Sequence, residues 1–512
     1  MRPVPALLAT LLAAGALAAQ PAPHARIRAV MARPEFAHAA WGMEFYDLQA
    51  KRTVAAVNPQ QLFVPGSTTK VVTMATAFET LGADHRFRTR LYRTGPVRDG
   101  VVQGDLVLVA SGDPNLSGRE RADSLYAFVD QDHSYGGQPL ASDPLANLRA
   151  LVRQVRARGI TAVTGQVLVD ASLYREGARE LGTRVTLSPF MLNDNVIDLV
   201  VTPGARTGDA ATVTVTPRTG YLTVHAMLVT GDSGSAPAVR MVEDSTNRDH
   251  RTLVVTGTVP RGVAPANARW AVPAPSRFGE VVLAELLAEA GVRAIPRLAT
   301  RAVDAAALAP SYVDSLLVAE HVSLPLPALA RVLLKTSQNL HASSLPLYLS
   351  SLPASRAAGK TGFDVAREWF QREGLDLDGA VQGDGAGGDA YFAPAFMTRL
   401  LAVIASRPWA KAFRDALPVL GRDGTLAAIQ VNSPGAGKVF AKTGTFGSYD
   451  PLNRRQLTHG KGLAGYFTTK GGREIAFALY VNNVAVAGGA DPALVAGQAL
   501  GEIASIAWET LK

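Results

Sequence analysis

The sequence predicts a mixed protein of the α/β (α+β) class, and three observations predict it. Apolar residues recur at helical spacing through Val71, Met74, Ala75, Phe78 and Leu81. From about residue 87 to 275 they give way to short alternating runs punctuated by Gly, Pro, Asn and Asp, the pattern of a β-rich region. Helical spacing then returns over 278–290 and 327–345, and strand-like runs followed by a helical segment close the chain.

The chain has 512 residues, 47% of them hydrophobic and 18% charged. That suits a globular protein with a large core, too long for one simple domain, so two or three units are expected. The formal net charge is +8. The basic residues are mostly scattered arginines rather than runs, which suits a solvated surface facing an anionic polymer. No nucleic-acid motif accompanies them, and nucleic acid is not expected as a partner. There is no cysteine, which excludes disulfides and a lipid-modified cysteine. Arg2, the apolar run 6–17 and Ala16-Leu17-Ala18 read as a secretory signal over residues 1–18, the run being too short to span a bilayer. A retained anchor is the rival reading. An exported protein is expected, soluble or loosely associated with a membrane surface.

Taken in order, Trp41, Met43 and Phe45 alternate with small or polar residues and predict a strand, with 47–52 as a turn and 53–57 as the returning strand. The β-rich region offers strand runs at 101–110, 165–170, 196–201, 211–215, 222–229 and 252–259. It also offers one helix at 144–158, with Leu145, Leu148, Leu151 and Val152 on one face. It shows no constellation of catalytic type, and Ser111-Gly112-Asp113-Pro114-Asn115 reads as a tight turn. Pro327 suits a first helical position. From Asp423 to Asn483 strands return, with 438–445, 462–468 and 474–482 as three strands of one sheet. Thr469-Lys470-Gly471-Gly472 joins the last two as a hairpin, and residues 492–512 predict a helix packed on that sheet.

The chemistry begins at Pro65-Gly66-Ser67-Thr68-Thr69-Lys70. Pro65 and Gly66 break what precedes, so Ser67 sits at or near the first turn of the helix, and Lys70 lies one turn on along the same face. An amine thus comes within reach of a hydroxyl. Serine is a weak nucleophile until a base takes its proton. Lysine can be that base only if burial or another cation lowers its pKa. A lone S-x-x-K is more often a helix cap beside a solvated lysine. Here the chain has ten lysines and this is its one S-x-x-K.

Two further signatures occur twice each. Ser245-Thr246-Asn247 sits among charges and reads as a turn. Ser337-Gln338-Asn339 falls at a break between two helical runs, where a hydroxyl and an amide can face a cleft. Lys360-Thr361-Gly362 precedes a helical face, and Thr361 with Asp364 resembles a capping box, so it reads as a helix start. Its likeness to a P-loop fails at Ala354, where glycine is required, and no strand leads in. Lys442-Thr443-Gly444-Thr445 instead ends a strand-like run. On an edge strand Lys442 can project toward Ser67 and Lys70, and Gly444 lets a substrate backbone approach closely.

S-x-x-K, S-x-N and K-T-G in this order are the motif set of penicillin-binding proteins and β-lactamases. The long gap between Ser67 and Ser337 resembles the low-molecular-mass class C penicillin-binding proteins, the S13 family of D-alanyl-D-alanine carboxypeptidases and endopeptidases, which insert a β-rich region there. The resemblance runs from about Arg33 to the C-terminus. It includes Ser111-Gly112-Asp113-Pro114, Gly165-Gln166-Val167-Leu168-Val169-Asp170, Asp423-Gly424-Thr425-Leu426, Ala464-Gly465-Tyr466 and Val481-Asn482-Asn483. Three positions depart from the family pattern. Gln338 holds the middle of S-x-N, where the side chain need not face the cleft. Ala386 stands where serine is usual. The link over 446–461 is longer than usual, a Tyr- and Arg-bearing loop that could restrict the cleft.

The resemblance implies a serine β-lactamase/transpeptidase-like core, residues 25–85 with 276–512, and a β-rich insertion, 86–275. It implies that Ser67 attacks the carbonyl between two D-alanines of a peptidoglycan stem peptide. Lys70 would be the base, neutral because Lys442 is near, and Ser337 would relay the proton to the leaving amine. Asn339 would hold Lys70 and the substrate amide. Lys442, Thr443, Gly444 and Thr445 would line the substrate site, with the terminal carboxylate on Lys442 and Thr443. The backbone N–H groups of Ser67 and Thr445 would form the oxyanion hole. β-Lactams are expected to acylate Ser67. No cofactor is implied, and the nine histidines show no metal-ligand spacing. The expected location is periplasmic or secreted, in the cell envelope. The resemblance leaves a homo-oligomer open. The alternatives are a β-lactamase or esterase of the same superfamily, and a non-catalytic cell-wall-binding protein on this fold.

Overall fold

The computed structural model describes residues 22–246, 250–298, 302–487 and 489–511. The expected signal, residues 1–18, lies outside them, as do Asn247 and Lys512. Ala40–Asp47 (β1) and Arg52–Val57 (β2) form the expected hairpin. Its turn is held by Asp47, whose Oδ1 accepts from Gln49 N at 2.9 Å and Ala50 N at 2.8 Å. Val439–Asp450 (β3), Arg455–Thr468 (β4) and Glu474–Val484 (β5) complete one antiparallel sheet in the order β3-β4-β5-β1-β2. The C-terminal strands thus pair onto the N-terminal hairpin, and β3 is the edge strand, bridged on its outer side at Phe440 by Val419.

Both faces of this sheet are covered, so β5 is a continuous buried run rather than an amphipathic one. Ile475, Phe477, Leu479 and Val481 pack with Ile503 and Ala507 of helix Pro492–Thr510. Ala476, Ala478 and Tyr480 pack on the other side with Val71 and Phe78 of helix Thr69–Leu81 and with helix Pro394–Ala405. Each large apolar side chain buried this way contributes about 1.5–3 kcal/mol.

The segment 446–461 is no loose link. It extends β3 and β4 into a long hairpin that turns only at Pro451-Leu452-Asn453-Arg454, where Asp450 Oδ1 accepts from Leu452 N at 3.1 Å and Asn453 N at 3.2 Å. Conversely, the stretch from Asp423 to Lys438 forms a 3₁₀ turn, Gly424–Leu426, and further turns rather than strand.

The middle region builds its own core on a seven-stranded sheet that includes Arg88–Arg93, Leu106–Val109 and Ala162–Asp170. The expected run 101–110 breaks into Val101–Val102 and Leu106–Val109. Helix Ala146–Ala157 buries Leu148, Leu151 and Val152 as expected, with Val155. Ser245 and Thr246 follow strand Ala238–Asp244, with Thr246 N donating to Asp244 Oδ1 at 3.0 Å. The packing carries this unit past residue 275. Helix Pro275–Glu289 places Phe278, Val282 and Leu286 in the same cluster as Leu108 and Val167. Strand Leu317–Val322 pairs with Arg88–Arg93. The chain rejoins the first core at helix Leu326–Lys335, followed after a break by helix Asn339–Ser351.

Candidate active site

Ser67 lies in a 3₁₀ turn, Gly66–Thr68, that runs directly into helix Thr69–Leu81. Gly66 adopts φ +51°, and a Cβ there would lie 2.5 Å from Thr445 N. A Cβ on Gly444 would lie 1.9 Å from Pro65 O and 3.0 Å from Thr68 N. Two glycines therefore let β3 dock on the start of the helix, bringing the Thr445 main chain against the Ser67 turn. Close approach at Gly444 thus serves strand-on-helix packing rather than a substrate backbone.

One helical turn on, Lys70 is fully buried. Its Nζ contacts Ser67 Oγ at 2.6 Å, Asn339 Oδ1 at 2.6 Å, Ser337 Oγ at 3.2 Å and Ala386 O at 3.4 Å. Burial pushes the Lys70 pKa down to about 7, against Glu180, Asp384 and Asp132, whose negative charges raise it. The expectation that Lys442 keeps Lys70 neutral needs correcting, because desolvation is the leading cause. Lys442 is likewise held well below the usual lysine range, by burial first, with the charges of Lys70 and Lys461 adding.

Ser337 occupies the break between its two helices with φ +63°, a strained conformation for a side chain of its kind. Gln338 points away from Lys70. Its Oε1 accepts from Leu340 N at 2.6 Å, capping the helix, and its Nε2 donates to Asp132 Oδ2 at 3.1 Å. Asn339 presents its oxygen to Lys70 and donates Nδ2 to Glu180 Oε1 at 2.8 Å. Lys442 is buried and its Nζ donates to Thr443 O at 2.8 Å. Thr443 Oγ1 meets Thr425 Oγ1 at 2.7 Å. Lys461 Nζ donates to Thr445 Oγ1 at 2.6 Å, and burial lowers its pKa to about 8. Ser67, Ser337, Thr443, Thr445 and Lys461 line one cavity of about 620 Å³, together with Asp130, Asp132 and Tyr135.

Of the motif residues, Ser67, Ser337, Thr443 and Thr445 line the cleft, Lys70 and Asn339 lie directly behind Ser67, Lys442 is buried and Gly444 packs on Pro65; the structure adds residues the sequence did not mark. Asp132, Tyr135 and Glu180 come from the region that offered no catalytic pattern. Burial and the charges of Glu180 and Asp132 hold the Tyr135 hydroxyl well above its usual pKa. Asp384 accepts from Gly387 N at 2.6 Å, which shapes the turn that presents the Ala386 carbonyl. At this turn the departure from the family's serine was the one available signal.

The second K-T-G stands apart. Thr361 and Asp364 form the expected capping box of helix Gly362–Arg372, and Lys360 pairs with Glu368 at 2.7 Å. Among the described residues Asp132, His133 and Asp194 are grouped closely enough to hold a metal ion. Their donor atoms are spent on protein partners. His133 Nδ1 meets Asp198 at 2.9 Å and Nε2 meets Asp194 at 2.9 Å, while Arg119 pairs with the same Asp194 carboxylate. The group is a buried ion-pair network.

Known proteins resemble this chain over most of its length. A family model for the D-Ala-D-Ala carboxypeptidase 3 (S13) family matches residues 24–499. The chain is 27% identical over 451 residues to a D-alanyl-D-alanine carboxypeptidase of Actinomadura sp. strain R39, covering 83% of this chain and 77% of that one. Penicillin binding protein 4 from Haemophilus influenzae superposes with a TM-score of 0.71 at 19% identity, over 94% of this chain and 99% of that one. The same protein complexed with a β-lactam superposes with a TM-score of 0.67, at the same identity and coverage. The last two likenesses concern the fold.

Proposed function

The chain belongs to the D-Ala-D-Ala carboxypeptidase 3 (S13) family, and from that premise we propose that it is a serine D-Ala-D-Ala carboxypeptidase of the cell envelope, periplasmic or secreted, acting on peptidoglycan stem peptides and acylated by β-lactams. The observation that carries this reading is Lys70 Nζ, fully buried and 2.6 Å from Ser67 Oγ, with Ser337 Oγ at 3.2 Å.

Neutral Lys70 has a lone pair aimed at the Ser67 hydroxyl and takes its proton as Oγ attacks the penultimate D-alanine carbonyl. The Ser67 and Thr445 backbone N–H groups face the developing oxyanion. Removing one such donor costs on the order of a hundredfold in rate. Ser337, in contact with Lys70, hands the proton to the departing D-alanine nitrogen. Lys442 and Thr443 receive the terminal carboxylate, which restores to Lys442 the counter-charge that the cleft alone denies it. Water then takes the acyl group from Ser67.

The test is incubation with a fluorescent penicillin and with a D-Ala-D-Ala-terminated peptide. The expected result is a long-lived adduct mapped to Ser67 and release of D-alanine, both lost in Ser67→Ala. An adduct on another serine refutes the site. Rapid penicillin turnover without peptide hydrolysis favours a β-lactamase. Digestion of a cross-linked dimer reports whether endopeptidase activity accompanies the exopeptidase.

A further inference from the structure

The Asn339 amide has two ends, and an amide can sit either way round unless something fixes it. Here its oxygen accepts from Lys70 at 2.6 Å while its nitrogen donates to Glu180 Oε1 at 2.8 Å. Glu180 is itself buried and held rigid. Its Oε1 also accepts from Gly182 N at 2.9 Å, and its Oε2 accepts from Thr183 N and from Thr183 Oγ1 at 2.7 Å. In each of these bonds the carboxylate accepts. Glu180 belongs to the inserted region, whose β-rich core is separate from the sheet that carries Lys442.

We propose that Glu180 is a positioning residue of the catalytic centre, fixing the Asn339 amide so that its oxygen faces the Lys70 base and placing a negative charge beside that base. This rests on the reading of Ser67 and Lys70 as nucleophile and base. A passive structural carboxylate would only hold its own turn. Glu180 reaches through Asn339 to the reacting groups, and its charge favours protonated Lys70. The other charged groups facing Lys70 are Asp132, Asp384 and Lys442, and Glu180 also faces Tyr135 and Arg269.

The test follows the pH dependence of Ser67 acylation by a fluorescent penicillin in the full chain. Glu180→Gln removes the charge and sets an amide donor against donors. Two changes are expected together. The plateau rate falls about tenfold or more, as when an oriented hydrogen bond is lost. The acid-side midpoint moves to lower pH by about one unit, because a nearby anion no longer favours protonated Lys70. A lower plateau with an unmoved midpoint means a merely structural role and overturns the proposal, as does a wild-type profile.

Gly182→Ala provides an independent arm that leaves the charge in place. Its Cβ would lie 2.6 Å from Asn339 Nδ2, so the amide must shift. The expected result is a reduced plateau at the wild-type midpoint. A wild-type plateau here overturns the proposal even where Glu180→Gln does not fold. If the wild-type protein forms no adduct on Ser67, the functional reading fails first and the positioning role falls with it.

Discussion

Lys70→Met should make the protein inactive and, at acid and neutral pH, more stable. Holding a fully buried lysine near pKa 7 instead of 10.5 corresponds to about 5 kcal/mol of penalty on its charged form, at about 1.4 kcal/mol per pH unit. In the unfolded chain Lys70 binds its proton up to about pH 10.4. In the folded chain it releases that proton near pH 7. The folded state therefore binds fewer protons between these values, and wild-type stability rises with pH across the window. Below pH 7 the whole penalty is present. Methionine removes the charge at similar volume but leaves Asn339 Oδ1 without its donor, a loss of about 1–3 kcal/mol. The net gain at pH 6 should be about 2–4 kcal/mol. It should shrink by about 1.4 kcal/mol for each pH unit between 7 and 10. Relief of Lys442 acts in the same direction. Urea denaturation of both proteins at pH 6, 7.5, 9 and 10 measures this. The pH slope of the difference is the decisive quantity, because the packing and hydrogen bonding that the substitution alters do not themselves vary with pH. A difference that stays constant from pH 7 to 10 would refute the lowered pKa and, with it, the role of Lys70 as base.

Other substitutions probe the remaining assignments. Lys442→Gln should leave the acylation midpoint near pH 7 with a substrate lacking a carboxylate, because burial dominates the Lys70 shift, and should raise KM about tenfold or more for a carboxylate-bearing one; a midpoint that climbs with the neutral substrate means that Lys442 tunes Lys70 after all. Lys360→Ala should leave penicillin labelling near wild type while Lys442→Ala weakens it strongly, and equal effects would reverse the choice between the two K-T-G motifs. Gly444→Ala drives a Cβ toward Pro65 O and should cut labelling about a hundredfold or more, by moving the proposed oxyanion donor at Thr445; a labelling rate close to wild type would refute that role of Thr445.

The motif chemistry was legible because its spacing is local. Ser67 and Lys70 share a helix face, Lys442 to Thr445 share one strand, and Ser337 with Asn339 interrupts a helical run. Context separated the strand-borne K-T-G from the one at Lys360, and the helix start read at Thr361 is present as a capping box. The supports were not legible. Glu180 and Asp132 carry no local pattern, and only the tertiary path of the inserted region brings them to Asn339 and Gln338. The boundary at 275 misled for a related reason. Helix Pro275–Glu289 reads as a return to helical sequence, yet its apolar face belongs to the β-rich core. The segment 446–461 reads as a linking stretch because glycine, proline and polar residues dilute its alternation, although continued pairing with the opposite strand keeps it extended.

The seam between the two cores has a mechanical meaning. Within one short segment, Gln338 is tied to Asp132, Asn339 to Glu180 and His341 Nε2 to Asp194, which also holds Arg119 and His133. All of these side chains are buried. A hydrogen bond to a buried charged group of this kind contributes about 1.5–3 kcal/mol, and opening the seam would break the three ties of Gln338, Asn339 and His341 at once. The two bodies do not work as jaws. The cleft is bordered by β3 beyond its bridge at Phe440, the stretch that carries Thr443 and Thr445. On the proposed reading a substrate meets a preformed rim, and selection rests on reach and fit rather than on closure around it.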